Sequence, residues 1–151
     1  MTIRAIAASL AGCLAMTAAA PAFAGAIVAL DSAIYVEHAN GLTRSLREAD
    51  RLNRGDRVVT ILTWQKQGSG KSDNTGFTVV NPLPRQVAYQ RSARDDEEVS
   101  VDGGRTWGRL GELTVGGRLA TAEDVTHVRW HVPPQQAAQG QGRIAYSAIV
   151  R

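Results

Sequence analysis

The stretch Arg57 to Trp64, RVVTILTW, decides the fold. Its β-branched and apolar residues stand on both faces of an extended chain, which is typical of a strand at the centre of a β-sandwich. A turn signal, Arg54-Gly55-Asp56, precedes this stretch, and the polar, Gly- and Ser-rich residues 65–76 follow it as a predicted loop. We therefore predict a central strand here and an all-β protein around it.

A second stretch, residues 125–132 (VTHVRWHV), predicts a strand with two different faces. Its side chains alternate with the period of two that a half-buried strand requires. The face predicted to point inward carries Thr126, Val128, Trp130 and Val132. Trp64 and Trp130 are accordingly predicted to be core residues contributed by facing sheets.

Shorter strands are predicted along the rest of the chain, separated by turn signals at near-regular spacing. They are residues 26–30, 32–38, 77–80, 86–90, 98–101, 105–110, 113–115 and 143–151. Residues 42–53 fit a helix and a strand equally well. The whole pattern of about seven to nine strands, without βαβ alternation, predicts an antiparallel β-sandwich.

Turns are predicted between these strands. Asp102-Gly103-Gly104 predicts a tight hairpin, because these residues tolerate positive φ. Gly116-Gly117 predicts a further turn, Ala122-Glu123-Asp124 a single helical turn, and residues 133–142 a loop. Asn81-Pro82-Leu83-Pro84 is predicted to stop its strand, because proline cannot donate to a ladder.

Residues 1–24 are predicted to be a secretory signal peptide. A basic start at Arg4 leads into the Ala-rich apolar residues 5–20 and an A-x-A cleavage motif, Ala22-Phe23-Ala24. The predicted mature domain is residues 25–151, or 127 of the 151 residues, and it is exported: periplasmic, outer-membrane-associated or extracellular. It contains no apolar stretch of about 18 residues, so no transmembrane segment is predicted after cleavage.

Cys13 offers an alternative processing route. Leu10-Ala11-Gly12-Cys13 matches a bacterial lipoprotein box, in which Cys13 would carry a lipid anchor and become the first residue. Only 12 residues precede Cys13, however, and the apolar run continues as far as Ala20, so we expect cleavage after Ala24. Cys13 is the only cysteine, and a mature chain without it has no disulfide, thiol nucleophile or zinc–cysteine site.

The positive charge does not predict a nucleic-acid partner. The net charge is +3 and falls to +2 with the loss of Arg4. Arginines between residues 44 and 57 are interleaved with acids, and Asp95-Asp96-Glu97-Glu98 is a strong acidic run. A nucleic-acid surface would gather cations without acids and add exposed aromatics. We predict a solvated, mixed-charge surface instead.

The acidic run raises the possibility of bound calcium, whose ligands are hard oxygen atoms. The weak candidates are Asp95, Asp96, Glu97, Glu98 and Asp102. Their order lacks the fixed spacing of known calcium loops. Solvated acids are the simpler interpretation, and no metal is assigned, but a calcium-stabilised adhesion module stays open as an alternative.

A small-ligand or carbohydrate-binding periplasmic protein is a further alternative. It requires at least two of Trp64, Trp107 and Trp130 to be exposed on one concave surface as a stacking platform. Trp107, beside the predicted hairpin, is expected to be the most exposed of the three. It is the one candidate ligand-binding residue.

No group of residues predicts an enzyme. No serine stands in a nucleophile-elbow pattern. His127 and His131 would lie about 13 Å apart on a strand, too far to share one zinc ion. We therefore predict no catalytic residue and no cofactor.

Six segments share their order and residue types with one family. They are GDRV (55–58), the strand ending at Trp64, GFTVVNPLP (76–84), VAY (87–89), VSVDGGRTWG (99–108) and DVTHVRW (124–130). Together they resemble the bacterial surface conserved repeat domain, an immunoglobulin-like domain of unknown function. The last two segments resemble the second half of its stand-alone secreted members.

The resemblance covers about residues 26–151 and implies an immunoglobulin-like β-sandwich exported to the cell envelope, often within surface or adhesive proteins. It assigns no catalytic residues. The chain departs from the family at Gln67-Gly68-Ser69-Gly70, where an Asn-Thr-Gly-type turn is usual, and it holds one copy of a domain often found in tandem. We therefore expect a non-enzymatic structural or interaction module. Its partner, a protein or another envelope component, would bind loops at the ends of the sandwich or an open sheet edge.

Overall fold

The computed structural model describes residues 27–40, 42–48, 51–67 and 75–151, which fold mainly as antiparallel β-sheet, so the all-β prediction is confirmed. The strands in these residues are β1 (Ile27–Asn40), β2 (Thr43–Glu48), β3 (Arg57–Gln67), β4 (Phe77–Pro82), β5 (Val87–Ser92), β6 (Glu98–Ser100), β7 (Thr114–Val115), β8 (Arg118–Leu119), β9 (His127–Val132) and β10 (Gln141–Val150). The predicted signal peptide, with Cys13, lies outside the described residues. So do Gly41 and residues 68–74 of the predicted loop.

Five strands form the larger sheet, in the order β2-β1-β3-β10-β5, and each neighbouring pair is antiparallel. The stretch that predicted a central strand lies in β3, between β1 and β10. Its side chains alternate: Val58, Leu62 and Trp64 are buried, whereas Val59 and Ile61 on the opposite face are only partly buried. The prediction that both faces of β3 are covered is therefore wrong. Within the described residues, one face packs fully and the other borders solvent.

The second sheet has three strands, in the order β4-β9-β6. Its central strand, β9, carries Val128, Trp130 and Val132 at 0% exposure, which confirms the inward side predicted for these three residues. The strand begins at His127 rather than Val125, and Thr126, also predicted to point inward, is only partly buried. A separate small hairpin, β7–β8, turns at Gly116-Gly117 as predicted, and both glycines have positive φ.

Aromatic pairs join the inner faces of the two larger sheets. Trp64 of β3 meets Phe77 of β4 edge-on with 5.1 Å between ring centroids, and Trp130 of β9 lies 5.8 Å from Tyr146 of β10. All of these rings belong to or pack against one hydrophobic cluster with members from both sheets. Trp64 and Trp130 are thus core residues of different sheets, as predicted, and the burial of this apolar surface stabilises the fold.

The strands pair in a nested order. β3 pairs with β10 and β4 pairs with β9, and β5 then pairs with β10 and β6 with β9. The earlier strands β3 to β6 therefore pair with the later strands β9 and β10. Successive strands in each group lie alternately in one sheet and in the other. As a consequence the last two strands, β9 and β10, lie in different sheets.

The hairpin predicted at Asp102-Gly103-Gly104 does not form, although both glycines do adopt positive φ. The Asp102 carboxylate instead accepts hydrogen bonds from the backbone N–H groups of Arg105, at 3.0 Å, and Thr106, at 2.9 Å. These amides are therefore not available to a strand ladder. Only one isolated bridge links residues 105–110, predicted as a strand, to β6.

The N-terminal strands also differ from their prediction. Residues 27–40 form one strand rather than two, because β1 pairs first with β3 and then with β2 along its length. The ambiguous residues 42–53 contain strand β2, whose side chains are all exposed. Pairing with β1 therefore decides the conformation that local periodicity left open.

Two short helical pieces lie near the C-terminal end. The predicted helical turn at Ala122–Asp124 is present as a 3-10 turn. Part of the predicted loop 133–142 instead forms α1 (Pro134–Ala137). Proline is tolerated there because the first helical positions leave their N–H groups unpaired in any case. In the described residues, no helix is long and apolar enough to cross a membrane.

Candidate binding cavity

A cavity of about 580 Å³ opens where β3 and β5 begin and β4 and β10 end. Its lining is mostly aliphatic and proline side chains, with two arginines and, among the described residues, no acid. The lining residues are Ser32, Ile34, Leu52, Arg54, Val58, Thr60, Asn81, Pro82, Pro84, Gln86, Val87, Tyr146, Ala148, Val150 and Arg151. Small-molecule sites typically occupy about 300–1,000 Å³ and combine apolar walls with a few polar groups, so the cavity has the size and composition of a ligand site.

Neutral polar atoms are grouped on one wall of this cavity. Asn81 Nδ2 donates a hydrogen bond to the Tyr146 hydroxyl at 2.8 Å, and the buried Thr60 side chain is a second hydrogen-bond partner of Tyr146. Burial raises the pKa of Tyr146 above its usual range, so its hydroxyl is neutral at physiological pH. A neutral phenol both donates and accepts, and this wall can therefore orient a ligand that carries a polar atom.

Two exposed arginines stand at the edge of the cavity, each held by backbone hydrogen bonds. Gly55 N–H donates to Val150 O at 2.8 Å, which fixes Arg54 beside the end of β10, and Arg151 N–H donates to Gln86 O at 2.8 Å. Arg151 Nη2 also donates to a backbone carbonyl, at 2.7 Å. The ion pairs of the described residues involve neither guanidinium, so no side-chain carboxylate among them neutralises either charge by direct pairing.

Sequence reasoning missed this cavity because its lining comes from segments that are distant in the chain. From sequence alone, the segment Asn81–Pro84 predicts only the end of a strand. Its two prolines, which remove ladder donors, were the one local signal that a gap could open beside β4. The nearness of this segment to β10 follows from sheet packing and has no local pattern.

The acidic segment does not converge on one point. The Asp96 carboxylate accepts from Arg94 Nε at 2.7 Å, Glu97 Oε1 from the Tyr89 hydroxyl at 3.2 Å, and Glu98 Oε2 from Arg129 Nε at 2.7 Å. The described residues contain no group of three or more His, Cys, Asp or Glu side chains arranged for a metal ion. The calcium alternative therefore stays a prediction, without a preformed site to support it.

Asp102, the fifth calcium candidate, has a structural partner for each carboxylate oxygen. Oδ1 accepts from the Ser100 hydroxyl at 2.8 Å and from backbone amides, and Oδ2 accepts from the Thr106 hydroxyl at 2.5 Å. These hydrogen bonds, the Thr106 hydroxyl first among them, hold the pKa of Asp102 well below its usual range. The carboxylate acts as the centre of the turn after β6.

We expect this turn to make stability depend on pH. Because the pKa of Asp102 is lower in the folded than in the unfolded state, its contribution is complete above the ordinary Asp pKa of about 4 and is lost as the pH falls below it. Asp102→Asn should lower the urea midpoint at pH 7, and the difference from wild type should shrink between pH 5 and pH 2. Asp95→Asn, at an exposed acid of the same region, is the matched control and should show no such convergence. A constant difference across the titration would contradict the role of the Asp102 carboxylate.

The tryptophans do not form a sugar platform. Trp64 is 3% exposed and Trp130 0%, which leaves Trp107 as the one partly exposed indole. Since two exposed indoles on one surface were required, the stacking version of the carbohydrate hypothesis loses its structural basis. Trp107 is the most exposed of the three, as predicted.

Trp107 itself is held by its neighbours on the outer side of the three-stranded sheet. The Arg129 guanidinium lies 4.6 Å from its ring centroid, and its Nε1–H donates to Gly104 O at 3.0 Å. Arg129 in turn pairs with Glu98, which is directly opposite in the β6–β9 register. This stack packs the turn after β6 against the sheet. These contacts give Trp107 a structural role.

Comparisons with protein-family models, with curated proteins and with solved structures find no match to this chain.

Proposed function

We propose that this chain is a non-enzymatic, exported module of the bacterial cell envelope. It works by binding a ligand in the cavity whose lining residues run from Ser32 to Arg151 in the sequence. The observation that carries the proposal is the cavity itself, with apolar walls, a neutral hydrogen-bonding wall and a rim fixed by backbone hydrogen bonds. Such a site takes a small ligand or a single apolar group of a larger envelope component. The small-ligand alternative thus gains a specific basis that does not depend on tryptophan stacking.

The proposed architecture is a β-sandwich whose two larger sheets share one core. Its nested pairing, β3 with β10 and β4 with β9, is the wrapped order of a jelly roll, a two-sheet architecture made of Greek keys. An immunoglobulin-like sandwich keeps its last two strands side by side in one sheet, whereas β9 and β10 lie in different sheets here. We therefore favour the jelly-roll order over the immunoglobulin-like order implied by the family resemblance.

The chemistry of the cavity supports binding rather than catalysis. Among the described residues, the lining holds no carboxylate side chain and no imidazole that would serve as a general base near neutral pH. Its polar side-chain groups are two amides, three hydroxyls and two guanidinium groups. These groups orient a ligand without exchanging protons with it.

The cavity can be tested with a neutral apolar fluorophore, N-phenyl-1-naphthylamine. We expect a saturable rise in its fluorescence with the wild-type protein. Ser32→Trp should weaken this binding at least about tenfold, because an indole at this exposed lining position fills the opening and removes the pocket on which binding depends. Thr63→Trp adds the same indole to the exposed outer face of β3 and should bind like wild type.

Circular dichroism must show that both variants are folded before their affinities are compared. Absence of saturable binding to wild type, or equal loss in both variants, would sink the binding proposal.

Export can be tested independently by expressing the full chain in a bacterial host. Mass spectrometry of the periplasmic product should give a mature chain that begins at Gly25, and Cys13→Ala should leave both the mass and the location of that chain unchanged. A lipid-modified chain that begins at Cys13, sits in the membrane fraction and is lost with Cys13→Ala would establish the alternative processing.

A further inference from the structure

We infer that the cavity selects an amphipathic anion, a small molecule with an apolar body and one carboxylate. This inference rests on the proposed binding function and adds the chemical class of the ligand. It is carried by the charge distribution of the lining, which is separate from the apolar volume that carries the binding proposal itself.

The apolar part of the ligand is required by the inner walls. Ile34, Val58, Val87, Ala148 and Val150 present hydrocarbon from β1, β3, β5 and β10. Ile34 is 48% exposed, and contact with an apolar ligand would remove this surface from water. A polar ligand body would make no apolar contacts with these walls, so the hydrophobic effect favours an apolar ligand body.

The anionic part is required by the rim. Arg54 and Arg151 carry the two charged side chains of the lining, and within the described residues no Asp or Glu side chain lines the cavity. The nearest acid in sequence, Asp56, uses its carboxylate to accept from the Asn53 backbone N–H at 2.7 Å. A guanidinium binds a carboxylate through paired N–H···O bonds, so this rim matches a carboxylate in both charge and geometry.

Backbone hydrogen bonds hold the main chain of both arginines near the same end of β10. Arg54 precedes Gly55, which is bonded to Val150 O, and Arg151 directly follows Val150. Both arginine side chains therefore branch from the main chain near the same end of β10, beside the lining residue Val150. A ligand that fills the cavity with hydrocarbon would leave its head group at this point.

The test compares three ten-carbon probes below their micelle-forming concentrations: decanoate, decan-1-ol and decylammonium. Their affinities are measured by displacement of N-phenyl-1-naphthylamine at low salt. We expect decanoate to bind about tenfold more tightly than decan-1-ol, the scale of a charge-assisted interaction at a partly exposed site. Decylammonium should bind most weakly, and added salt should reduce the advantage of decanoate.

The double variant Arg54→Gln/Arg151→Gln should bring decanoate to the affinity of decan-1-ol and leave decan-1-ol itself unchanged. Arg105→Gln removes an equal charge from an exposed position outside the cavity and is the matched control. Co-sedimentation with phosphatidylglycerol vesicles separates a free amphiphile from a membrane surface, and we expect none.

Each result has a distinct meaning. Equal binding of decanoate and decan-1-ol to wild type would overturn the anion selectivity while leaving the cavity as a binding site. Binding of none of the three probes would overturn the proposed function as well. Vesicle binding that is lost in the double variant would assign the arginines to a membrane surface instead and would overturn the inference.

Discussion

Trp130→Ala is expected to bring the protein close to unfolding, at a cost of about 3–5 kcal/mol in the free energy of unfolding. The indole is 0% exposed, packs 5.8 Å from the Tyr146 ring of the opposite sheet and donates from Nε1 to Ser92 Oγ at 2.9 Å. Its removal leaves a cavity in the core that both sheets share and takes one hydrogen bond from the partly buried Ser92 hydroxyl. A domain of this size has a total stability of about 5–15 kcal/mol, so the loss is a large share of it.

Urea unfolding followed by far-ultraviolet circular dichroism measures this effect, with two variants for comparison. Trp130→Phe keeps most of the ring volume and should cost much less, the main loss being one hydrogen bond worth about 1 kcal/mol. Trp107→Ala removes an indole of equal size from the partly exposed stack on Arg129, and we expect a clearly smaller effect than at Trp130. Equal losses at Trp107 and Trp130 would mean that the core is not centred between the two sheets.

Gly142→Ala is expected to cost about 1–3 kcal/mol, although it adds only one methyl group. Gly142 lies directly opposite Trp64 in the β3–β10 register, and a Cβ atom placed there would come 2.5 Å from Trp64 Cζ2 and 2.6 Å from Cε2. The indole is 3% exposed and already meets Phe77 edge-on, so it has little room to move. The absence of a side chain at Gly142 is therefore part of how the indole fits.

A double-mutant cycle separates this clash from the general effect of replacing glycine. In a Trp64→Leu background, the cost of Gly142→Ala should largely vanish, because the shorter side chain leaves space for the methyl group. Gly108→Ala is the matched single control: its Cβ would meet only the tip of the Leu113 side chain, at 3.1 Å, which can shift. Additive costs of the two substitutions at positions 64 and 142 would contradict the proposed clash.

The strongest predictions from the sequence concerned burial. Alternation in residues 125–132 identified Val128, Trp130 and Val132 as inward-facing, because the period of two is fixed by strand geometry wherever one face is buried. The same logic failed on the outer face of β3, where Val59 and Ile61 have apolar side chains but are only partly buried. Core residues are mostly apolar, but an apolar residue need not be in the core. Nothing in the local sequence distinguishes an apolar residue that stays at the surface.

The candidate site was much less accessible to sequence reasoning. The acidic residues 95–98 stood out by composition, yet their carboxylates accept from Arg94, Tyr89 and Arg129, which arrive from different directions. Trp107 stood out as an aromatic beside a turn, and it is occupied by its stack with Arg129. Apart from the local pair of Arg94 and Asp96, these contacts do not follow from local pattern, because Tyr89 and Arg129 belong to other strands.

By itself the sequence determined the β class of the described chain, the inward side chains of β9, and the positive φ of Gly103 and Gly104. Each depends on the geometry of a few consecutive residues, which composition and spacing encode directly. The sequence placed the end of β4 too early, because the strand runs on through Asn81 and Pro82. Only the tertiary structure decided the pairing order of the strands and the cavity beside Tyr146. These depend on contacts between residues far apart in the chain, such as the 2.8 Å hydrogen bond from Asn81 to Tyr146 across 65 positions, and they exist only once both sheets have closed over their shared core.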